Sequence, residues 1–154
     1  MRRRLMFLLS VGAVVWAIET AGALAAESPL RGAWRPESYI LKDGSRHPME
    51  GLVVFTDTEW TFVVFVMADG EPRRGEGEGG TYTLKGDDLV FSHEFLLTAG
   101  GALGSLPESP LRMQVRDTAS AAKTPARASL EADRLTIRFG PSGNTMVFRR
   151  LSRF

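Results

Sequence analysis

Apolar and polar residues alternate along most of the chain after residue 30, in short stretches separated by glycine, proline, aspartate and serine. No apolar pattern at helical spacing persists over three turns. A period of two within short segments predicts strands rather than helices. We therefore predict an all-β chain with strands at residues 32–41, 51–55, 59–67, 81–84, 89–97, 111–115, 127–131, 135–139 and 145–151.

The alternation also predicts which side chains point into the core, because every second residue of a strand lies on the same face. The predicted inward set is Trp60, Phe62, Val64 and Val66 on one strand, Leu89, Phe91, His93, Phe95 and Leu97 on another, and Leu135, Ile137 and Phe139 on a third. Some strands are apolar on both faces, which indicates that loops or a second subunit cover the outside of the sheet.

Three connections are rich in glycine, proline and alanine and are longer than a hairpin needs. They cover residues 68–80, 98–110 and 117–126, and we predict them to be lids or mobile loops. The first contains spaced glycines between Gly75 and Gly80 that match a dinucleotide-binding pattern. A strand follows instead of a helix, and Glu76 and Glu78 would repel phosphates, so a flexible hairpin loop is the better interpretation.

The N-terminus has the three parts of a secretory signal peptide. Arg2, Arg3 and Arg4 precede an apolar run at 5–18, and small residues at 21–25 follow. The run is shorter than the roughly 20 residues that a membrane-spanning helix needs. We predict that residues 1–25 are cleaved, that residues 26–154 form one periplasmic or secreted domain, and that no stable membrane anchor remains after cleavage.

Charge and composition exclude several classes of function. The whole chain has 19 basic and 18 acidic side chains, and beyond residue 25 these become 16 and 17. No basic run interleaved with aromatic residues predicts a nucleic-acid surface. The chain has no cysteine, so disulfides, a thiol nucleophile and a cysteine-based zinc site are excluded. The scattered carboxylates and two histidines do not define a metal site, and no cofactor is predicted.

Several segments in a fixed order resemble the bacterial lipocalin-like domains, which are calycin-type barrels. They are Gly32-Ala33-Trp34, residues 39–44, 47–56 and 80–87, and a closing Phe148-Arg149-Arg150-Leu151. The resemblance implies an antiparallel up-and-down β-barrel of about eight strands, with an interior that can hold one small ligand.

The two ends of this barrel domain suggest how its floor is closed. Gly32 and Trp34 stand at the start of the first strand, where Trp34 can cover the floor. An arginine of the last strand can then lay its guanidinium on the indole, which contributes about 0.5 to 2 kcal/mol. Strand register decides whether Arg149 or Arg150 does so, and the sequence leaves that choice open.

His93 is the strongest candidate for ligand binding or proton transfer, since it lies between two phenylalanines on a predicted inward face. An imidazole in an apolar cavity can orient a polar ligand group or act as a base. The alternative is a buried histidine that is bonded to a neighbouring side chain or to the backbone. The aromatic candidates for a pocket wall, which could equally fill the barrel, are Trp60, Phe62, Tyr82, Phe91 and Phe95.

The leading hypothesis is an exported lipocalin-like barrel that binds a small, largely apolar molecule as a carrier, scavenger or sensor. Tyr82 and His93 would be its polar anchors. One alternative is an isomerase or hydrolase that uses His93 with Tyr82, although a non-enzyme is favoured. Another is a filled barrel that binds envelope proteins. A homodimer is a further option, and outward apolar residues near Val53, Phe55 and Phe65 would favour an interaction surface.

Overall fold

The structure, a computed structural model, describes residues 27–153, and the predicted signal peptide at 1–25 lies outside this range. The described chain is all-β. Its strands are β1 (Gly32–Ile40), β2 (Arg46–Phe55), β3 (Glu59–Ala68), β4 (Glu71–Lys85), β5 (Asp88–His93), β6 (Phe95–Gly100), β7 (Ser109–Val115), β8 (Ala122–Glu131), β9 (Arg134–Phe139) and β10 (Thr145–Ser152). Between residues 27 and 153, no helix is long and apolar enough to span a membrane.

Eight of these strands close into an antiparallel barrel. Neighbouring strands pair in the order β3-β2-β1-β10-β9-β8-β5-β4, and a β3–β4 pairing closes the ring. The connectivity is up-and-down, and β6 and β7 form an additional hairpin that pairs with the first half of β4. The predicted fold class, an all-β up-and-down barrel of about eight strands, is confirmed. Closure removes the edges of the eight barrel strands, whereas the β6–β7 hairpin leaves one open edge at β7.

The barrel interior is filled from alternate positions, as the apolar pattern predicts for most strands. On β3 the inward residues Trp60, Phe62, Val64 and Val66 are buried while their neighbours are exposed. Leu89 and Phe91 of β5 and Leu135 and Ile137 of β9 join the same core. Val53 and Phe55 are also buried inside, so they do not form the outer patch that the sequence suggested for them.

The prediction of a loop at residues 68–80 is wrong. Residues 71–79 are the first half of β4 and pair with β3 along its length. Asp69 and Gly70 both have positive φ, 54° and 80° respectively, so the two strands are joined by a tight two-residue turn. Asp-Gly is a preferred pair for such hairpin turns. The glycine-rich segment between Gly75 and Gly80 is therefore a barrel strand.

A one-residue offset separates β5 from β6 at Glu94. Before Glu94, Leu89 of β5 pairs with Leu84 of β4. An unbroken register would then pair Gly79 with residue 94, but Gly79 pairs with Phe95 of β6, so the register shifts by one residue. An extra residue on one strand reverses the alternation of the residues that follow. The predicted inward position of Phe95 and Leu97 is therefore wrong, because both lie outside the barrel with 44% and 49% exposure.

Gly80 permits β4 to bend at the level of this offset. Its φ is +151°, and an added Cβ would overlap the carbonyl oxygen of Ser92 on β5. Only glycine combines this backbone conformation with so close an approach of two strands. The bend allows the second half of β4 to pair with β5 and the first half with β6.

The β6–β7 hairpin extends the barrel wall and its connecting loop reaches the β1–β2 turn. Arg74 of β4 donates hydrogen bonds to the carbonyl oxygens of Gly101 (2.9 Å) and Pro107 (2.8 Å) in this loop. A Cβ on Gly104 would lie 2.8 Å from Leu41 Cδ1, which shows how closely the loop packs on the turn. The predicted loops at 98–110 and 117–126 are thus shorter, because β6 extends to Gly100 and β8 begins at Ala122.

The opposite end of the barrel is closed by the residues predicted to form its floor. Trp34 is fully buried, and the Arg150 guanidinium carbon lies 3.9 Å from the centroid of its ring. Arg150 also donates to the carbonyl oxygens of Arg31 and Pro29, both at 2.7 Å, and the Trp34 indole donates to Leu30.

The register of β1 against β10 determines which arginine packs on Trp34. Trp34 pairs with Arg150 across β1 and β10, whereas Arg149 points outward to Glu37 (2.7 Å) and Asp133 (3.3 Å). At Gly32 an added Cβ would overlap the Ser152 carbonyl oxygen, so a larger residue would separate the first and last strands.

These two neighbouring arginines give a matched test of the floor. Arg150→Ala is expected to lower the free energy of unfolding by at least about 2 kcal/mol, because it removes a cation–π contact and two charge-assisted hydrogen bonds. Arg149→Ala removes only exposed ion pairs and is expected to cost much less. Urea denaturation of both variants measures the difference. Equal losses for the two would contradict the assigned floor.

Candidate functional site

A cavity of about 250 Å³ lies inside the barrel. Its wall comes from all eight barrel strands and the β9–β10 turn, and most of it is apolar. The apolar lining consists of Val53, Phe55, Trp60, Phe62, Phe91, Ile137, Phe139, Pro141, Met146 and Phe148. Aromatic rings contact one another along this wall, for example Trp60 and Phe91 with centroids 4.5 Å apart. The barrel is therefore hollow enough for a small molecule.

The polar part of the wall is small and acidic. It consists of Tyr39, Glu76, Glu78, His93, Thr124 and Ser142. Among the described residues, no lysine or arginine lines this cavity. Glu76 and Glu78 are adjacent inward positions of β4, opposite Val64 and Phe62 of β3. Two carboxylates thus share one side of a cavity that is otherwise mostly hydrocarbon.

His93 is held by one partner on each ring nitrogen. Its Nδ1 lies 2.8 Å from Glu78 Oε2, and its Nε2 lies 2.9 Å from Thr124 Oγ1. An ionised carboxylate only accepts hydrogen bonds, so Nδ1 carries a proton when Glu78 is charged. The Nε2 atom then accepts from the threonine hydroxyl in the neutral ring. This network fixes the imidazole edge-on to Trp60, with ring centroids 5.3 Å apart.

The carboxylate of Glu76 has fewer stabilising partners than that of Glu78. Burial raises the pKa of its carboxyl above the ordinary value, and the neighbouring charge of Glu78 raises this pKa further. Arg74 and His93 act in the opposite direction because positive charge stabilises the carboxylate. Among the hydrogen bonds of residues 27–153, none reaches the Glu76 side chain, whereas Glu78 is bonded to His93.

The hydroxyl of Tyr39 is another polar group in the cavity wall. Its hydroxyl accepts a hydrogen bond of 2.8 Å from the amide of Asn144, and that amide's oxygen accepts from the backbone of Lys42 at 2.9 Å. Burial raises the pKa of Tyr39, so the phenol stays protonated and retains its proton for donation. Asn144 is itself buried, which ties the β9–β10 turn to the end of β1.

The structure brings together four of the six residues predicted from the sequence to bind a ligand. Trp60, Phe62, Phe91 and His93 line the cavity. Phe95 lies on the outer surface over Gly79.

Tyr82 does not line the cavity. Its hydroxyl lies near the floor, within hydrogen-bond distance of Ser28 Oγ (2.6 Å) and the Thr56 carbonyl oxygen (2.7 Å), and its ring packs edge-on against Phe55. The hydroxyl is therefore occupied in joining the N-terminal segment to the β2–β3 turn.

Glu76 and Glu78 are the functional candidates that sequence reasoning missed. Both fall in the segment predicted as a flexible hairpin loop, because it is rich in glycine, proline and alanine and longer than a hairpin needs. Two features of the sequence could have located them. Asp69-Gly70 is a hairpin signal, and glycine and glutamate alternate strictly from residue 75 to 79, which is the period of a strand with one polar face.

Comparisons with known proteins leave the site to be interpreted from its own chemistry. No family model matches the sequence, and no match was found among curated proteins. Within the described residues, no group of three or more histidine and acidic side chains is placed to hold a metal ion. The site can hold an apolar body, accept hydrogen bonds at two carboxylates, and carry a proton between His93 and Glu78.

The raised pKa of Glu76 predicts a particular pH dependence of stability. The folded state binds the Glu76 proton more tightly than the unfolded state, so this group's contribution is lost as pH rises from the ordinary value of 4.5 through the raised pKa. Glu76→Gln removes that loss. The unfolding free energy of the variant relative to wild type should therefore increase with pH across this window and level off above it.

Chemical denaturation at a series of pH values measures this difference. Glu71→Gln is the matched control, because it removes an exposed carboxylate from the same strand. It should follow the wild-type pH profile. A constant difference between Glu76→Gln and wild type at all pH values would show that burial does not perturb Glu76.

Proposed function

We propose that the protein is an exported, lipocalin-like barrel that binds one small, largely apolar molecule in its cavity. The observation that carries this proposal is the hollow, aromatic-lined interior with a few polar groups on one side. Ligand sites in proteins typically combine these two features. Export is inferred from the N-terminal sequence, and the likeness to lipocalin-like domains from the ordered motifs between Gly32 and Leu151 together with the closed eight-stranded barrel.

The arrangement of the two ends supports binding of a whole molecule inside the barrel. Trp34 and Arg150 close one end, so a ligand must enter near the other. That end carries the Arg74-bound loop of the β6–β7 hairpin and the turns after β1 and β9. A cavity of about 250 Å³ is slightly smaller than the roughly 300 to 1,000 Å³ of typical small-molecule sites, which favours a compact ligand.

The alternative of an isomerase or hydrolase that uses His93 with Tyr82 receives less support. The Tyr82 hydroxyl is bound at the floor by Ser28 and Thr56, while His93 lies in the cavity wall with Glu78 and Thr124. The two groups therefore do not share one reaction site. A completely filled barrel is also disfavoured by the cavity.

A plug at the cavity rim tests the binding proposal. The probe is phenylbutanol, a neutral molecule with an aryl group, a short chain and a hydroxyl, and binding is followed by calorimetry and by the fluorescence of Trp60 in the wall. Ser142 lines the cavity from an exposed turn, so Ser142→Trp is expected to reduce affinity at least tenfold by occupying the space.

Ser142→Ala is the matched control for this plug. Both substitutions remove the hydroxyl that accepts from the Asn144 backbone, but only tryptophan adds bulk. The alanine variant should bind phenylbutanol like wild type. The absence of any binding to wild type, or equal binding by the tryptophan variant, would contradict the cavity as a ligand site.

A second candidate function is self-association through the outer surface. Five neighbouring strands, β2, β3, β4, β6 and β7, present an outer apolar face. Its members are Leu52, Val63, Phe65, Phe95, Leu97, Leu111, Met113 and Val115, with Gly75, Gly77 and Gly79 between them. Exposure is greatest on β7, where Leu111, Met113 and Val115 are 63%, 76% and 86% exposed. Contiguous exposed apolar surface of this kind marks interaction sites.

The edge strand β7 favours a second copy of this chain as the partner. Among residues 27–153, β7 pairs only with β6, so its other side has free backbone hydrogen-bonding groups. An antiparallel β7–β7 pair with its two-fold axis at Met113 would place Leu111 opposite Val115 of the other copy. Arg112 would face Gln114, so no arginine would lie directly opposite another. Such a strand edge is self-complementary.

Sedimentation equilibrium of the purified protein over a range of concentrations tests this dimer. Met113→Glu is expected to shift the protein to monomer, because it places two carboxylates opposite each other at the two-fold axis. Ser129 is an exposed residue of β8. Ser129→Glu therefore adds the same charge far from this edge and should leave the dimer intact. A wild-type protein that is monomeric at every concentration would contradict the proposal.

A further inference from the structure

The cavity wall has an uneven distribution of charge. Two carboxylates, Glu76 and Glu78, lie on one side, and no lysine or arginine of the described chain lines the space. The nearest arginine along the same strand is Arg74, whose guanidinium donates to the Gly101 and Pro107 carbonyl oxygens in the β6–β7 loop. An anionic ligand would therefore bring a third negative charge next to two carboxylates in a mostly apolar space.

The two carboxylates are not equivalent. Glu78 is within 2.8 Å of His93 and has its partner within the wall. Glu76 has no hydrogen bond among the described residues, although burial already disfavours its charged form. Glu76 is only partly buried, so its carboxylate can be reached from the cavity, and a cation that approaches it gains a charge-assisted hydrogen bond. Glu76 is thus the group in the wall with most to gain from a positively charged ligand.

The remaining wall is also suited to a cation that carries an apolar body. Trp60, Phe62 and Phe91 line the same cavity, and their ring faces attract positive charge as well as hydrocarbon. Apolar residues such as Val53 and Phe148 complete the wall and would contact the body. The cavity thus combines a site for a nitrogen with space for an aryl or alkyl group.

We infer that the cavity selects amphipathic amines, with the protonated nitrogen on Glu76 and the apolar group among the aromatic residues. This inference rests on the proposed function, since it names the class of ligand for the same cavity. It predicts a clear order of affinity. A cationic amine should bind more tightly than a neutral alcohol of the same shape, and the corresponding carboxylate should bind most weakly.

Three probes of similar shape test this order with the full mature protein. They are phenylbutylamine, phenylbutanol and phenylbutyrate, and their dissociation constants are measured by calorimetry. A charge-assisted hydrogen bond is stronger than a neutral one, so the amine should bind at least about tenfold more tightly than the alcohol. The carboxylate should bind more weakly than the alcohol.

Glu76→Gln separates charge from shape. The glutamine is nearly isosteric, so the variant should keep its affinity for phenylbutanol and lose the advantage of phenylbutylamine. Glu71→Gln is the control, because it removes an exposed carboxylate from the same strand and tests whether any negative charge near the barrel mouth has the same effect. The control should retain the wild-type preference.

Proton release gives an independent readout. Since burial and Glu78 raise the pKa of Glu76, part of the population is protonated in the window above pH 4.5, and a bound ammonium favours the ionised form. The other charged or titratable groups near Glu76 are Arg74 and His93, which lower its pKa, and Tyr39 of β1. Calorimetry in two buffers of different ionisation enthalpy should show proton release with the amine and none with the alcohol.

The outcomes distinguish a failure of ligand binding from a failure of the amine class. If no probe binds, the proposed ligand-binding function is overturned. If phenylbutanol binds but the amine has no advantage, or if phenylbutyrate binds most tightly, ligand binding stands and the amine class is overturned. An amine preference that Glu76→Gln abolishes and Glu71→Gln preserves would support the inference. A preference that survives in Glu76→Gln would assign the nitrogen to another group and overturn the role of Glu76.

Discussion

The one-residue offset at Glu94 is the constraint on which the cavity wall and the outer apolar face both depend. Before Glu94, β5 directs Phe91 and His93 into the barrel, and after it β6 directs Phe95 outward. Without the extra residue, the alternation would continue and Phe95 would point into the barrel beyond His93. The same offset lets β6 and β7 continue along β4. One local irregularity thus places His93 in the cavity wall and an aromatic residue on the outer face.

The acidic side of the cavity works against the stability of the barrel. A core filled by hydrocarbon would avoid the cost of desolvating Glu76 and Glu78, and only Glu78 is compensated by a bonded histidine. The bend at Gly80 and the glycines that alternate with the carboxylates leave β4 with few apolar side chains of its own. The strand that carries the polar wall is therefore stabilised mainly by its neighbours, β3 and β6.

The sequence predicts the barrel well and its interior only in part. Alternation in β3 correctly places Trp60 and Phe62 inside, because that strand alternates without interruption from Glu59 to Val66. The terminal motifs locate Trp34 at the floor, but only register identifies Arg150 rather than Arg149 as its partner. The failures occur where the pattern is broken by a bulge or masked by glycine. A bulge that reverses a strand's faces leaves no composition signal, so the outward position of Phe95 could not be read from alternation.

The seam between β1 and β10 also has a consequence for the order of folding. It joins the first and last strands, and the Arg150 hydrogen bonds to Arg31 and Pro29 span 119 and 121 residues. Contacts of such high sequence separation form late, because the loop-closure entropy must be overcome before they contribute. The hairpins can therefore form early from local pairings, whereas the barrel acquires its floor, and with it an enclosed interior, only when the complete chain has come together.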